Sequence, residues 1–561
     1  MEKYIYIAIG AALLIFIIYS VVTTKKRLRT KLLARVRASW GALPDREYTE
    51  EELKKIRTYF ETVKSEDDFC IDDITWNDLN MDVIFSLINQ TFSSVGEEVL
   101  YDILRRPAFS EEELEERDRV ITYFEKHSDV REAFSVDYAS IGRTKKYSLI
   151  EFLGMFRKLT TAPDIIYILH MLLIPAAVVL AILQPLTGVV VLIFAVIFNL
   201  ITYYRQKARI EPYYVSLTAM AYLVNAAERI ASHNVPDLKN YLNVLKEETK
   251  PVHRLSGDIR WLGNGSVGTS MDLIQVILDY LRMITHVDFL IFNRMVKRII
   301  NNEDHLLNLI RTMGFLEAMI AVASYRQVLP FFTTGEFTQE KGMDLTDGYH
   351  PLIKEPVANS IHETRSMLIT GSNASGKSTF LRMTALSALM AQTICTIPAH
   401  TYRAPFFRIY SSMALRDDIQ SAESYFIVEI RSMKRIMDAA AKEGPAVLCF
   451  VDEVLRGTNT VERIAASSQI LKELIGKNAY VFAATHDIEL TQLLKDQYAN
   501  YHFTETVEDD QVSFSYKLLP GSASSRNAIR LLSVMGYDEE VVERAQKEAE
   551  HFTAEGVWKL M

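Results

Sequence analysis

Cysteine is nearly absent from this chain. Among 561 residues there are three, Cys70, Cys395 and Cys449. They are too few for a disulfide framework and too widely spaced for a metal-ligand rhythm, so they read as reduced cytosolic thiols. An excess of positive charge is also missing. Lys and Arg number 62 against 71 Asp and Glu, a formal charge of −9, which argues against a generally basic nucleic-acid-binding surface and leaves only local patches for such a role. No internal repeat and no low-complexity tract occurs. What the chain does have is apolar sequence, 49% of its residues, over a length that exceeds one core's usual size.

The apolar residues are concentrated in a few runs. Tyr4 to Val22 holds 19 positions without a charge, enough to cross a hydrocarbon core about 30 Å thick. Met1-Glu2-Lys3 precedes this run, and Lys25, Lys26, Arg27, Arg29, Lys31, Arg35 and Arg37 follow it. The bias of basic residues puts the N-terminus outside and the rest in the cytoplasm, and the same basic run suits an anionic lipid surface. A second region, Ile165 to Tyr204, is broken by Gln184-Pro185-Leu-Thr-Gly188 and reads as two spans joined by a tight turn. Arg157 and Lys158 before it, and Arg205, Lys207 and Arg209 after it, keep both outer ends cytoplasmic. The alternative is a long hairpin buried in a soluble helical core. His170, Pro175 and Asn199 within it read as packing features, since transport paths are usually marked by ionisable groups.

The chemistry is concentrated in the last third. Gly371-Ser372-Asn373-Ala374-Ser375-Gly376-Lys377-Ser378-Thr379 follows the apolar run Ser366-Met-Leu-Ile-Thr and opens a helical segment, Phe380 to Met390. This is a complete phosphate-binding loop in a strand–loop–helix setting. The two glycines let backbone amides face phosphate oxygens, Lys377 reaches the terminal phosphates, and Ser378 offers its hydroxyl to Mg²⁺. Downstream, Ala446-Val-Leu-Cys-Phe-Val-Asp452-Glu453 is an apolar run short enough for a buried parallel strand and ends in two carboxylates. Asp452 suits the Mg²⁺ and Glu453 the attacking water. A second run, Val481-Phe-Ala-Ala-Thr485-His486-Asp487, places His486 where the carboxyl ends of parallel strands converge on ligand.

Taken in order, the phosphate loop, Asp417-Asp-Ile-Gln-Ser-Ala-Glu-Ser424-Tyr-Phe426-Ile-Val-Glu429, Asp452-Glu-Val-Leu-Arg456-Gly457-Thr458-Asn-Thr460 and Ala484-Thr-His486-Asp-Ile-Glu-Leu490 resemble the ATPase domain of the MutS family. Asn373, the S-x-F-x-V-E string and the D-E-x-x-R-G-T string are the specific marks, worded differently in generic ABC ATPases. Upstream, Thr75-Trp-Asn-Asp-Leu-Asn80-Met-Asp and Leu87-Ile-Asn89-Gln-Thr91 through Arg106-Pro107 resemble the start of the family's helical core, and His350-Pro-Leu-Ile353 the segment that opens the ATPase domain.

The resemblance implies ATP and Mg²⁺ as cofactors and a homodimer with composite sites, in which Ser424 contacts the partner's nucleotide; Ser424 also suits a helix N-cap. It implies a DNA ligand. No counterpart of the family's mismatch-reading domain is expected before Thr75, and no nuclease-like extension after Met561. The closing segment, Gly521 to Arg526 and Ala528 to Tyr537, departs from the family at Ser525-Arg526-Asn527, where S-Y-G is usual.

The expected organisation is an anchor at 1–24, a basic helical segment at 25–70, the first part of the helical core at 71–164, a transmembrane hairpin at 165–204, returning lever helices at 205–332, a linker at 333–348 and the ATPase domain at 349–561. The fold class is an α/β P-loop NTPase domain preceded by an all-α core and lever region with about three transmembrane helices. The function expected is a multi-pass, inner- or plasma-membrane ATPase sensing DNA structure; the alternative is a nucleotide-driven membrane switch or scaffold that engages a protein or lipid. The loop from Arg260 to Ser270 is expected as an exposed turn.

Overall fold

The computed structural model describes residues 26–65, 67–261, 282–372, 375–413, 425–508, 511–523 and 536–558, with a few isolated positions besides. The first apolar run except for Tyr19, together with Asn373, Ala374, Ser424, most of the Arg260–Ser270 loop and the Ser525-Arg526-Asn527 departure, lies outside them. The chain divides into two compact units. One comprises residues 1–64, 88–102 and 120–325; the other comprises 65–87, 103–119 and 326–561. Residues 71–87 and 103–119, assigned by sequence to the helical core, and 65–70, assigned to the basic segment before it, thus cluster with the C-terminal unit.

The first unit is helical. Its helices start where the sequence supplies caps: Thr49 and Glu52 form a capping box ahead of Glu50–Val63, and Ser148 and Glu151 form another ahead of Leu149–Lys158. Asp164–Leu183 and Pro185–Ala231 form an antiparallel pair, broken only at Gln184. Pro185 takes the first helical position, where its missing N–H costs nothing. Leu186, Thr187 and Gly188, read by sequence as part of the turn, are already helical. Gly188 is there because the two helices touch: a Cβ on it would stand 2.2 Å from the Cα of Ala181. The second helix is 47 residues long and continues through Pro212, so the second apolar span and the first returning lever are one rod.

Both helices are long and apolar enough to cross a membrane, and only 11% and 22% of their most apolar windows are buried. Ile182, Leu183, Leu186 and Phe194 are 75, 73, 87 and 68% exposed. Among the described residues the hairpin is therefore not a buried core element. A third helix of sufficient length and hydropathy, Glu303–Arg326, is 72% buried in its window and belongs to the core.

The second unit is built on a six-stranded sheet. Among the described residues its strands in chain order are β1 (Glu336–Phe337), β2 (Met343–Gly348), β3 (Asn359–Glu363), β4 (Ser366–Thr370), β5 (Thr401–Ala404), β6 (Phe407–Ser412), β7 (Ala446–Asp452), β8 (Ala479–Thr485), β9 (Tyr498–His502), β10 (Glu505–Glu508), β11 (Gln511–Phe514) and β12 (Leu519–Pro520). The main sheet runs β12-β9-β4-β8-β7-β6, with β9 through β6 parallel and β12 antiparallel at the edge. Continuous apolar runs such as Val447–Val451 and Val481–Ala484 suit strands covered on both faces. A smaller sheet runs β1-β5-β2-β3, and β10 and β11 form a hairpin. The helix after β4 runs from Lys377 to Thr393, longer than the Phe380 to Met390 segment that the sequence pattern indicated, and the last described helix runs from Glu539 to Glu555.

Candidate functional site

The site forms at the carboxyl ends of β4, β7 and β8. Between β4 and the Lys377–Thr393 helix the chain turns through Gly371 at φ +148° and Gly376 at φ +108°, a backbone region that side chains rarely adopt. A Cβ on Gly371 would also stand 2.8 Å from the carbonyl oxygen of Phe503. The helix therefore begins directly at Lys377, with its N-terminal amides opening into the loop.

Lys377 lies back across this turn. Its Nζ donates to the carbonyl oxygens of Gly371 and Ser372, each at 2.7 Å, and burial lowers its pKa against the pull of Asp452 and Glu453. Ser378 Oγ donates to Asp452 Oδ2 at 2.5 Å, joining the loop helix to the end of β7. Ser372 Oγ donates to Glu505 Oε2 at 2.8 Å. Ser375 Oγ is buried and finds no hydrogen-bond partner among the described residues, a donor of the kind an anion in the loop would engage. Thr379 follows on the first turn and lines a neighbouring cavity.

Glu453, one residue past β7, has φ +61°, and its N–H donates to Ala484 O at 2.9 Å. Strain of this kind costs about 1–3 kcal/mol and persists only where the surroundings enforce it. They do so here with two basic groups: Arg456 Nε stands 2.6 Å from Oε2, and His486 Nε2 stands 2.6 Å from Oε1. Burial pushes the Glu453 pKa up, but the His486 hydrogen bond and the charge of Arg456 outweigh it and hold the carboxyl below its ordinary range. The loop carrying His486 is pinned in turn by Asp487, which accepts from Arg463 Nε and Nη2 at 2.8 and 2.6 Å. Glu429 Oε1 accepts from the backbone N–H of Arg456 at 3.2 Å, and burial raises its pKa.

The structure thus brings together Gly371, Ser372, Ser375, Gly376, Lys377, Ser378, Asp452, Glu453 and His486, with Thr379 beside them. Asn373, Ala374 and Ser424 lie outside the described residues. Sequence reasoning missed the cavity of about 340 Å³ that adjoins the loop at Gly376 and Thr379, lined by His350, Val357, Phe380, Met383, Phe503 and Tyr516. Burial lowers the His350 pKa to about 4, so its ring is neutral there. Tyr516, at φ +52°, places its ring 3.2 Å from where a Gly376 Cβ would stand. A spacing motif covers neither Phe503 nor Tyr516, because both reach the cavity from beyond the last parallel strand.

Chemically, a buried ammonium, a glycine turn on a helix N-terminus and an unpartnered hydroxyl suit a ligand carrying several negative charges. Asp452 beside Ser378 supplies two oxygens for a hard divalent cation that completes its shell from ligand and water.

Residues 367–553 match the family profile of MutS domain V. The chain is 31% identical over 265 residues to the DNA mismatch repair protein MutS of Thermotoga sp. (strain RQ2), covering 46% of this chain and 33% of that protein. It is 34% identical over 204 residues to the DNA mismatch repair protein MutS of a Thermus thermophilus strain, covering 36% of this chain and 25% of that protein. With the protein of the same name from Thermotoga neapolitana it shares 32% identity over 276 residues, again 46% of this chain and 33% of the relative. The chain thus spans at most about a third of these relatives' length.

Proposed function

We propose, from the match of residues 367–553 to MutS domain V and the identity to MutS proteins over that region, that the chain is a MutS-related, Mg²⁺-dependent ATPase anchored in a membrane by its helical hairpin. The observation that carries the hydrolytic reading is the cluster of Lys377, Ser378, Asp452, Glu453 and His486 around one P-loop turn. Lys377 binds the terminal phosphates, in place of the two carbonyls it now holds. Ser378 and Asp452 hold Mg²⁺, directly or through water. Glu453, kept ionised by Arg456 and His486, orients and deprotonates the attacking water, while His486 senses the γ-phosphate. The apolar cavity beside Gly376 receives the base. Two copies closing face to face complete each site through Ser424 of the other.

The membrane reading rests on the exposed apolar surface of Asp164–Leu183 and the first half of Pro185–Ala231, which water would penalise. Arg157, Lys158, Arg205 and Arg209 are exposed at its base, and Lys26, Arg27, Arg29, Lys31, Arg35 and Arg37 along the 26–39 helix. Both sets fit a cytoplasmic membrane face, with the N-terminus outside and the two units within.

For the output we propose DNA, the ligand implied by the relatives' name. The second reading, a switch acting on a lipid or protein partner, is favoured by the apolar hairpin and the formal charge of −9. ATP turnover by the detergent-purified chain, wild type beside Lys377→Ala, with and without duplex, branched and mismatched DNA, decides both levels. Turnover lost in the variant and accelerated by DNA supports the first reading. Lysine-dependent turnover indifferent to every DNA supports the switch. Turnover that survives Lys377→Ala contradicts the ATPase itself.

A further inference from the structure

The catalytic unit includes a short helix encoded far ahead of its catalytic motifs. Asp73–Asp78 lies outside the domain V match, yet it clusters with the C-terminal unit and touches both the helix that follows the phosphate loop and β6, the strand beside β7. Asp78 is 2% exposed. Its Oδ2 accepts from Ser411 Oγ at 2.6 Å and from Met413 N at 2.9 Å, gripping the end of β6. Thr75 Oγ1 accepts from Ser411 N at 3.1 Å. On the other side, the carbonyl oxygen of Asp78 accepts from Arg382 Nε at 2.9 Å, across 304 residues of sequence. Arg382 belongs to the helix that carries Ser378.

The register gives this grip its meaning. Ser411 and Ser412 pair with Phe450 and Val451 on β7, and Asp452 is the next residue. One aspartate therefore holds the strand beside the Asp452 strand through its side chain and the Ser378 helix through its main chain. The helix itself is fastened from behind. Arg105 donates from Nη1 to Ile71 O and Asp73 Oδ1, each at 2.9 Å, and its guanidinium lies 4.0 Å from the ring of the buried Trp76. Arg435 completes the frame, donating to Asp72 Oδ2 and to Ser411 O. Charged acceptors make stronger, shorter hydrogen bonds than neutral ones, so this is a stiff brace.

We propose that Asp78 is a positioning residue for Mg²⁺-dependent hydrolysis, its helix setting the spacing between Ser378 and Asp452. The proposal rests on the ATPase reading. Groups hydrogen-bonded directly to a metal ligand are worth on the order of 10- to 100-fold in metal affinity or activity, and Asp78, acting one element further back through β6 and the Ser378 helix, belongs at the low end of that range.

The test is the Mg²⁺ concentration for half-maximal ATP turnover in the full-length, detergent-purified protein, measured beside binding of a fluorescent ATP analogue in EDTA. For Asp78→Ala the half-saturating Mg²⁺ rises about tenfold and kcat falls by about as much, while metal-free analogue binding stays at the wild-type value. Asp78→Asn, which keeps an acceptor oxygen, recovers most of the loss. A residue that served folding alone would lower the melting temperature and the active fraction without moving Mg²⁺ half-saturation, and that result overturns the proposal. Should Asp78→Ala not fold, Ser411→Ala and Arg382→Met each remove one leg of the brace, and unchanged Mg²⁺ half-saturation in both overturns it equally. A wild type without Mg²⁺-dependent turnover strikes the ATPase reading instead, so the two failures are distinguishable.

Discussion

Glu453 shows how much of the site is decided by single residues. Its carboxylate is held ionised by Arg456 and His486 rather than by solvent. A group with a depressed pKa contributes above its ordinary value and loses that contribution as pH falls through the lowered one. Arg456→Ala therefore moves the acid limb of the pH–rate profile toward higher pH, as Glu453 returns toward the ordinary carboxylate range; an acid limb that stays in place would detach Arg456 from this role. The helical unit holds the opposite case. Burial pushes Glu98 up to about 8, although Ser148 Oγ and Leu149 N donate to it, and Glu317 up to about 7. A buried acid with a raised pKa binds its proton in the folded state where the unfolded chain has released it. Stability should therefore fall as pH rises from about 4.5 to 8. Melting temperatures across that range should show the decline in the wild type and a flatter profile in Glu98→Gln.

At the scale of elements, the hairpin depends on one close approach. A side chain at Gly188 collides with the backbone of Ala181, which cannot rotate away. Gly188→Val should therefore splay the two helices and cost at least the roughly 1–3 kcal/mol typical of overpacking, read as a lower melting temperature in detergent. In the other unit, Asn459 Oδ1 accepts from Glu462 N at 3.0 Å and caps the Thr460–Gly476 helix. Asn459→Ala should cost about 1 kcal/mol there.

Neither the Gly188 contact nor the Asn459 cap was read from the sequence, but other local features were legible in it. β7 and β8 stand out because strands covered on both faces must be continuously apolar, and the phosphate loop because its geometry demands glycine at two fixed places. Less legible was the grouping of 65–87 and 103–119 with the C-terminal unit, since Asp78 meets Ser411 across 333 residues and no periodicity records such a contact. The 47-residue rod was hidden by its change of composition. Its hydropathy shifts near Arg205, which reads as a boundary, while the helix runs on unbroken.

For the whole molecule, the proposal joins a nucleotide-binding unit to a helical unit whose exposed apolar hairpin suits a lipid environment. Bulky apolar residues such as Leu186 and Phe194, left largely exposed, cannot be held in water by charge alone. Washing membranes with high salt or alkaline carbonate should therefore leave the protein in the pellet, and release by salt alone would reduce the hairpin to a peripheral contact. The central claim, that the cluster at the ends of β4, β7 and β8 hydrolyses ATP, is tested most directly by Glu453→Gln in the purified full-length chain. This substitution keeps the size and shape of the side chain while removing the base, together with the charge that Arg456 and His486 face. The account predicts ATP binding at wild-type affinity with turnover reduced on the order of 10²- to 10⁴-fold. Turnover equal to the wild type's would contradict it.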